Sequence, residues 1–119
     1  MNRRNEFEYL RIPEIHVVLN ANITESILLY NASHESVTLH ISEVAPKQWA
    51  IGYQIYFENG RIAEKKPGDL AGWFKSAKDA ELYFLGYMLQ YSDCFTDSCI
   101  YEIKKRILKL IQPDLFSAK

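Results

Sequence analysis

Between positions 37 and 57 apolar and polar residues alternate in two runs. Val37, Leu39 and Ile41 fall on one side of an extended backbone, opposite Thr38, His40 and Ser42. After the break at Ala45-Pro46-Lys47, Trp49, Ile51, Tyr53, Ile55 and Phe57 repeat the pattern against Ala50, Gly52, Gln54 and Tyr56. A period of two is the signature of a half-buried strand, so both runs are predicted as strands with the heavier face inward. Gly52 leaves a gap in mid-strand, which predicts a bulge or a close approach by another backbone. Glu58-Asn59-Gly60 follows, and Asn-Gly predicts a type I′ hairpin that reverses the chain into Arg61–Glu64.

Two weaker alternations lie upstream. Ile15, Val17 and Leu19, after Pro13, predict a first strand, and Ile27 to Tyr30 predict another, with a helical turn begun by Thr24 as the competing reading. Downstream, Lys65 to Gly72 contains Pro67-Gly68 and Gly72 and reads as an exposed loop, after which Trp73-Phe74 is expected to enter the core.

The period then changes. Projected at about 100° per residue, positions 77–91 place Tyr87, Ala80, Tyr91, Phe84, Ala77, Met88 and Leu85 on one arc, with Leu89 and Leu82 just beyond it. Only Asp79, Tyr83, Gly86 and Gln90 form a polar strip. Ser76 is the expected N-cap, and Ser92-Asp93 marks the end. One sheet face cannot cover so wide an arc, so a second helix or a second copy of the chain is expected on the far side. A second helix is predicted over 97–111. Ile100, Ile103, Ile107, Leu110 and Ile111 make its inward face, Glu102, Lys105, Arg106 and Lys109 lie opposite, and Pro113 stops it.

Strands first and helices last define an α+β fold: an antiparallel β-meander of four to five strands followed by two C-terminal helices on one sheet face. With 119 residues, 48% of them apolar, the chain suits one domain over 1–119, with 1–13 as a flexible arm and 113–119 as a frayed tail. Fourteen basic and fifteen acidic side chains leave a net charge of −1, which excludes a general field for nucleic acid or membrane. No apolar run approaches a spanning helix or a secretory signal, so a cytoplasmic protein without membrane contact is expected. Cys94 and Cys99 are read as packing thiols in preference to a zinc half-site completed by His16, His34 or His40, and neither a metal nor a cofactor is expected.

No catalytic residue emerges. The five glycines form no phosphate-cradling string, and His40, on the wetter strand face, is the best isolated base. The leading expectation is therefore a non-catalytic interaction module, a homodimer or a subunit of a complex, using Tyr83, Tyr87, Gln90 and Tyr91. The succession QWAIGYQIYFENGRIAEKKPG, then GWFKSAKDAELYFL, resembles the three-strand-plus-helix layout of AP2-type and integrase arm-binding DNA domains. The resemblance implies a sheet set in the major groove, and the alternative is a nucleic-acid-binding accessory protein using Gln54, Tyr56, Arg61, Lys65 and Lys66 of the 49–66 hairpin. Glu58, Glu64 and Asp69 cancel much of that field. A third expectation is a small-ligand cleft among Trp49, Tyr53, Trp73 and His40.

Overall fold

The computed structural model describes residues 23–68 and 73–112. Four strands, β1 (Glu25–Ala32), β2 (Glu35–Ala45), β3 (Gln48–Tyr56) and β4 (Ile62–Gly68), form one antiparallel sheet in chain order. Two helices follow, α1 (Ala77–Gln90) and α2 (Asp97–Ile111), joined by a single 3₁₀ turn at Ser92–Cys94. This is the expected α+β meander. Ile27 to Tyr30 is strand. The strand expected over 15–20, the N-terminal arm, the loop residues 69–72 and the tail from Pro113 lie outside the described residues.

Alternation sorts the sheet into two faces. Val37, Leu39 and Ile41 of β2 pair with Ile55, Tyr53 and Ile51 of β3, and all six are buried beneath the helices. Phe84, Leu85 and Met88 of α1 and Ile103 of α2 close the core from above, with Tyr53 stacked on Phe84 at 5.6 Å. Removing side chains of this size from water contributes roughly 1.5–3 kcal/mol each, so this layer dominates the stability. α1 rests on β2 and β3, while α2 rests on β1 and against α1. The wide apolar arc of α1 is thus enclosed on two flanks by its own chain.

The helix boundaries follow from capping. The Ser76 hydroxyl accepts the Asp79 N–H at 3.0 Å, and Thr96 caps α2 by accepting the Cys99 N–H at 3.2 Å. Glu35, buried at the start of β2, accepts the Thr96 N–H at 3.0 Å and the Thr96 hydroxyl at 2.5 Å. A carboxylate at a helix N-terminus complements the dipole, so this contact ties the sheet to α2.

Several expectations are corrected. The turn after β3 is not type I′, because Asn59 keeps a negative φ. Gly60 N–H donates to the Phe57 carbonyl at 2.9 Å, Phe57 N–H donates to the Arg61 carbonyl at 2.8 Å, and Gly60 alone has positive φ, at 92°. That is a type I turn closed by a glycine bulge, which matches strand twist with one left-handed residue instead of two. The segment 65–68 is strand rather than exposed loop. Tyr53 pairs with Lys65 but Ile51 pairs with Gly68, so β4 carries one extra residue at Lys66-Pro67. A bulge on an edge strand is where a proline is tolerated. The gap at Gly52 receives this bulge: a Cβ there would lie 2.4 Å from the Lys65 carbonyl oxygen and 2.5 Å from the Pro67 nitrogen. Trp73 does not enter the core. Phe74 exchanges backbone hydrogen bonds with Trp49 at 2.8 and 2.9 Å and packs against the core, and neighbouring residues of an extended bridge point to opposite sides.

Candidate functional site

The strip of α1 that faces neither the sheet nor α2 carries Asp79, Tyr83, Gly86 and Gln90, spaced four, three and four residues apart along one line of the helix. All four are exposed. Tyr83 is 42% exposed, and its ring lies against Phe74 at 5.0 Å, next in sequence to Trp73 at 43% exposure. Gly86 is the unusual member. Among the described residues nothing lies within 4 Å of where its Cβ would be, so their packing does not require glycine there. A glycine in a helix interior costs about 0.5–1 kcal/mol relative to alanine. The position therefore carries a cost that no described residue offsets.

The four tyrosine-strip residues expected at an interface divide into two pairs. Tyr83 and Gln90 are open to solvent. Tyr87 and Tyr91 are half-buried, pack against the core and hold their rings 4.8 Å apart. Burial, then a hydrogen bond with Tyr91 and the nearness of Tyr91, Tyr53 and Tyr83, pushes the Tyr87 hydroxyl well above the ordinary tyrosine range. Tyr87 is a structural member of the cluster and stays protonated at neutral pH.

The residues expected to bind nucleic acid do not share one face. Gln54 and Tyr56 are on the sheet face away from the helices, with the Gln54 amide donating to the Tyr56 hydroxyl at 3.2 Å and Glu64 paired beside them. Lys65 stands opposite Tyr53, whose side chain is in the core, so Lys65 belongs to the helix-covered face. Arg61 lies in the turn, its N–H donating to the Asn59 side-chain oxygen at 3.0 Å. Lys66 is exposed on the β4 bulge. The bulge and strand alternation separate these cations.

The aromatic-cleft grouping is likewise not assembled. His40 pairs with Gly52 on the outer face, while Tyr53 is buried on the inner one and Trp73 is exposed. His40 does gain a partner that the sequence concealed, the Ser26 hydroxyl at 2.8 Å from its Nδ1 across β1 and β2. Burial lowers the His40 pKa, and the carboxylate of Glu64 acts in the opposite direction, so the imidazole is neutral at pH 7.

Sequence reasoning also missed the ion pair that joins the helices. Glu81 is 95% withdrawn from solvent and accepts the Arg106 guanidinium Nε–H. Arg106 was expected on the solvent side of α2. Its long side chain instead runs inward under the helix, because an arginine can place its stem on apolar surface while its head meets a charge. Cys94 and Cys99 are buried and not joined in a disulfide. Burial, with a smaller contribution from Glu35, pushes the Cys99 thiol up to about 12. Among the described residues no cluster of three or more His, Cys, Asp or Glu side chains is placed to hold a metal ion. Among them, too, no helix is long and apolar enough to cross a membrane.

Compared with protein-family models, with curated proteins and with solved structures, the chain gives no significant match.

Proposed function

We propose that this chain is a small non-catalytic interaction module of the cytoplasm that pairs with a second copy of itself across the exposed strip of α1. The observation that carries the reading is Gly86, without a neighbour among the described residues and set between Tyr83 and Gln90 on the exposed side of a helix whose other flanks are covered. The width of the apolar arc no longer argues for a partner, since α2 covers it. The exposed glycine does, because a helix without a Cβ at one position lets another backbone come close there. Exposed Tyr83 beside it is a residue type enriched at the energetic centres of interfaces. A two-fold axis passing at Gly86 would set Tyr83 of one copy against Gln90 of the other, a self-complementary arrangement. Buried, reduced Cys94 and Cys99 suit the cytoplasmic setting.

Light scattering on the full chain at tens of micromolar tests this reading. The expected mass is twice the 13.9 kDa of one chain, falling to one chain for Gly86→Arg, with both proteins folded by circular dichroism. A wild-type protein that stays at the mass of one chain would reject it. Electrophoretic mobility of DNA and RNA probes at low salt separates it from the nucleic-acid reading, which requires a shift that fades steeply as salt rises.

A further inference from the structure

We propose that the outward face of α2 rests on an anionic membrane surface, its apolar crest set among the lipid headgroups and the lysines on either side of that crest reaching lipid phosphates. α2 carries apolar residues on two sides. Ile103 is buried, and Ile100, Ile107 and Leu110 pack against the core. Tyr101, Leu108 and Ile111 face outward instead, 62%, 49% and 56% exposed, although Ile111 was expected on the inward face. Scattered single apolar residues on a surface are ordinary, but three on one side of one helix need a reason.

The lysines around them supply it. At about 100° per residue, Tyr101 and Leu108 fall within about 20° of each other and form the crest, with Lys104 on one side and Lys105 and Lys109 on the other. All three lysines are exposed. Arg106, the other cation of α2, is turned inward to Glu81. Of the acids on α2, Asp97 stands in the first turn, ahead of the crest, and Glu102 pairs with Lys105 at 3.6 Å. From Tyr101 onward the outward face is therefore apolar along its middle and positive along its sides, although the whole chain, at −1, has no such bias.

Charge and residue type select the occupant. A second copy would set lysines against lysines, which opposes self-association through this face. Protein interfaces favour arginine and are depleted in lysine, and a nucleic acid would meet the flanking charges with phosphate but leave the apolar crest unmatched. A bilayer surface satisfies both parts. Aliphatic and tyrosine side chains settle at the headgroup boundary, and lysines extend on their apolar stems to the phosphates. The expectation of no membrane contact rested on the lack of a spanning segment, and a helix lying in the plane of the interface needs none. The cytoplasmic leaflet is the anionic one, in keeping with the setting proposed above. This face belongs to α2 and not to the α1 strip, so the two readings stand or fall separately.

The test is sedimentation of the full chain with vesicles of phosphatidylcholine and phosphatidylserine in a two-to-one ratio, against vesicles of phosphatidylcholine alone. Binding to the anionic vesicles only is expected, weakening as salt rises. Each lysine close to such a surface changes partitioning about fivefold, so the triple variant Lys104→Glu, Lys105→Glu, Lys109→Glu should bind about a hundredfold more weakly. Leu108→Ser keeps every charge and should still cost about tenfold, because it removes the side chain that enters the headgroup layer. All four positions are exposed, so circular dichroism of the variants should match that of the wild type. The proposal is overturned if the wild type ignores the anionic vesicles or binds neutral ones equally, or if the triple variant binds as the wild type does. It is overturned too if Leu108→Ser has no effect, or if a short DNA duplex is bound as tightly as the vesicles, since either result would reduce the face to a plain basic patch.

Discussion

Gly52 and Gly86 each sit inside a regular element, and the molecule surrounds them in opposite ways. At Gly52 the backbone of Lys65–Pro67 occupies the space a side chain would take. At Gly86 no described residue does so. The first glycine is explained wholly by the fold, since β4 needs the gap to place its bulge and its proline. The second is explained by no described residue, although it weakens the helix that carries it. A residue that costs stability without relieving a contact directs attention outside the protomer, and the contrast between the two sites carries the argument for a docking surface.

The comparison can be broken first at Gly52. Gly52→Ala should destabilise the protein by about 3 kcal/mol, the upper end for overpacking, because the clashing atoms are backbone and cannot rotate away. Denaturant unfolding measures it, and a neutral result would mean that the bulge is not held as described. Next is the inner flank of α1, where Arg106→Ala strands the buried Glu81 carboxylate. A loss of about 2 kcal/mol is expected, short of the range for fully buried pairs because the guanidinium is partly solvated. Adding Glu81→Gln to that variant should return part of the loss, whereas equal stabilities of single and double variants would show that the pair is not coupled.

Gly86→Ala should have the opposite sign. At concentrations low enough to keep chains apart, thermal unfolding is expected to show a gain of about 0.5–1 kcal/mol. Destabilisation would reveal an internal role for the glycine and remove the contrast. The smallest effect near neutrality concerns Cys99. Its folded thiol titrates near 12 against an ordinary 9, so its share of stability is complete below pH 9 and is lost as pH rises from there toward 12. Alkaline unfolding of wild type compared with Cys99→Ala would measure it, the variant showing the shallower decline above pH 9. Identical slopes would contradict the shift.

The pattern of apolar positions was enough to place β2, β3, α1 and α2, because burial on one face imposes its own period on the sequence. The end of α2 at Ile111 and the start of α1 at Ala77 were legible from Pro113 and Ser76, residues whose backbone chemistry acts locally. What stayed hidden was set by partners distant in the chain. Pro67-Gly68 looked like a loop because only its pairing with Ile51 makes it a strand. Arg106 looked solvated because Glu81, its partner, lies one helix away. The exposed strip on α1 is legible as a strip, but Tyr87 and Tyr91, expected to share an interface with Tyr83 and Gln90, are occupied by core packing. Gly86 reads in the sequence as one more polar-side residue, because the space around a helix position is not written in its periodicity.

The most direct measurement of the central claim is covalent trapping at the strip. Gly86→Cys, under mild oxidation, should link two copies quickly, since a two-fold axis at that position brings the paired Cα atoms within the roughly 4.4–6.8 Å that a disulfide spans. The same change at exposed Lys104, on the solvent side of α2, should not. Rapid dimer formation by the first variant alone is the expected result. Equal, slow linkage of both would contradict the account.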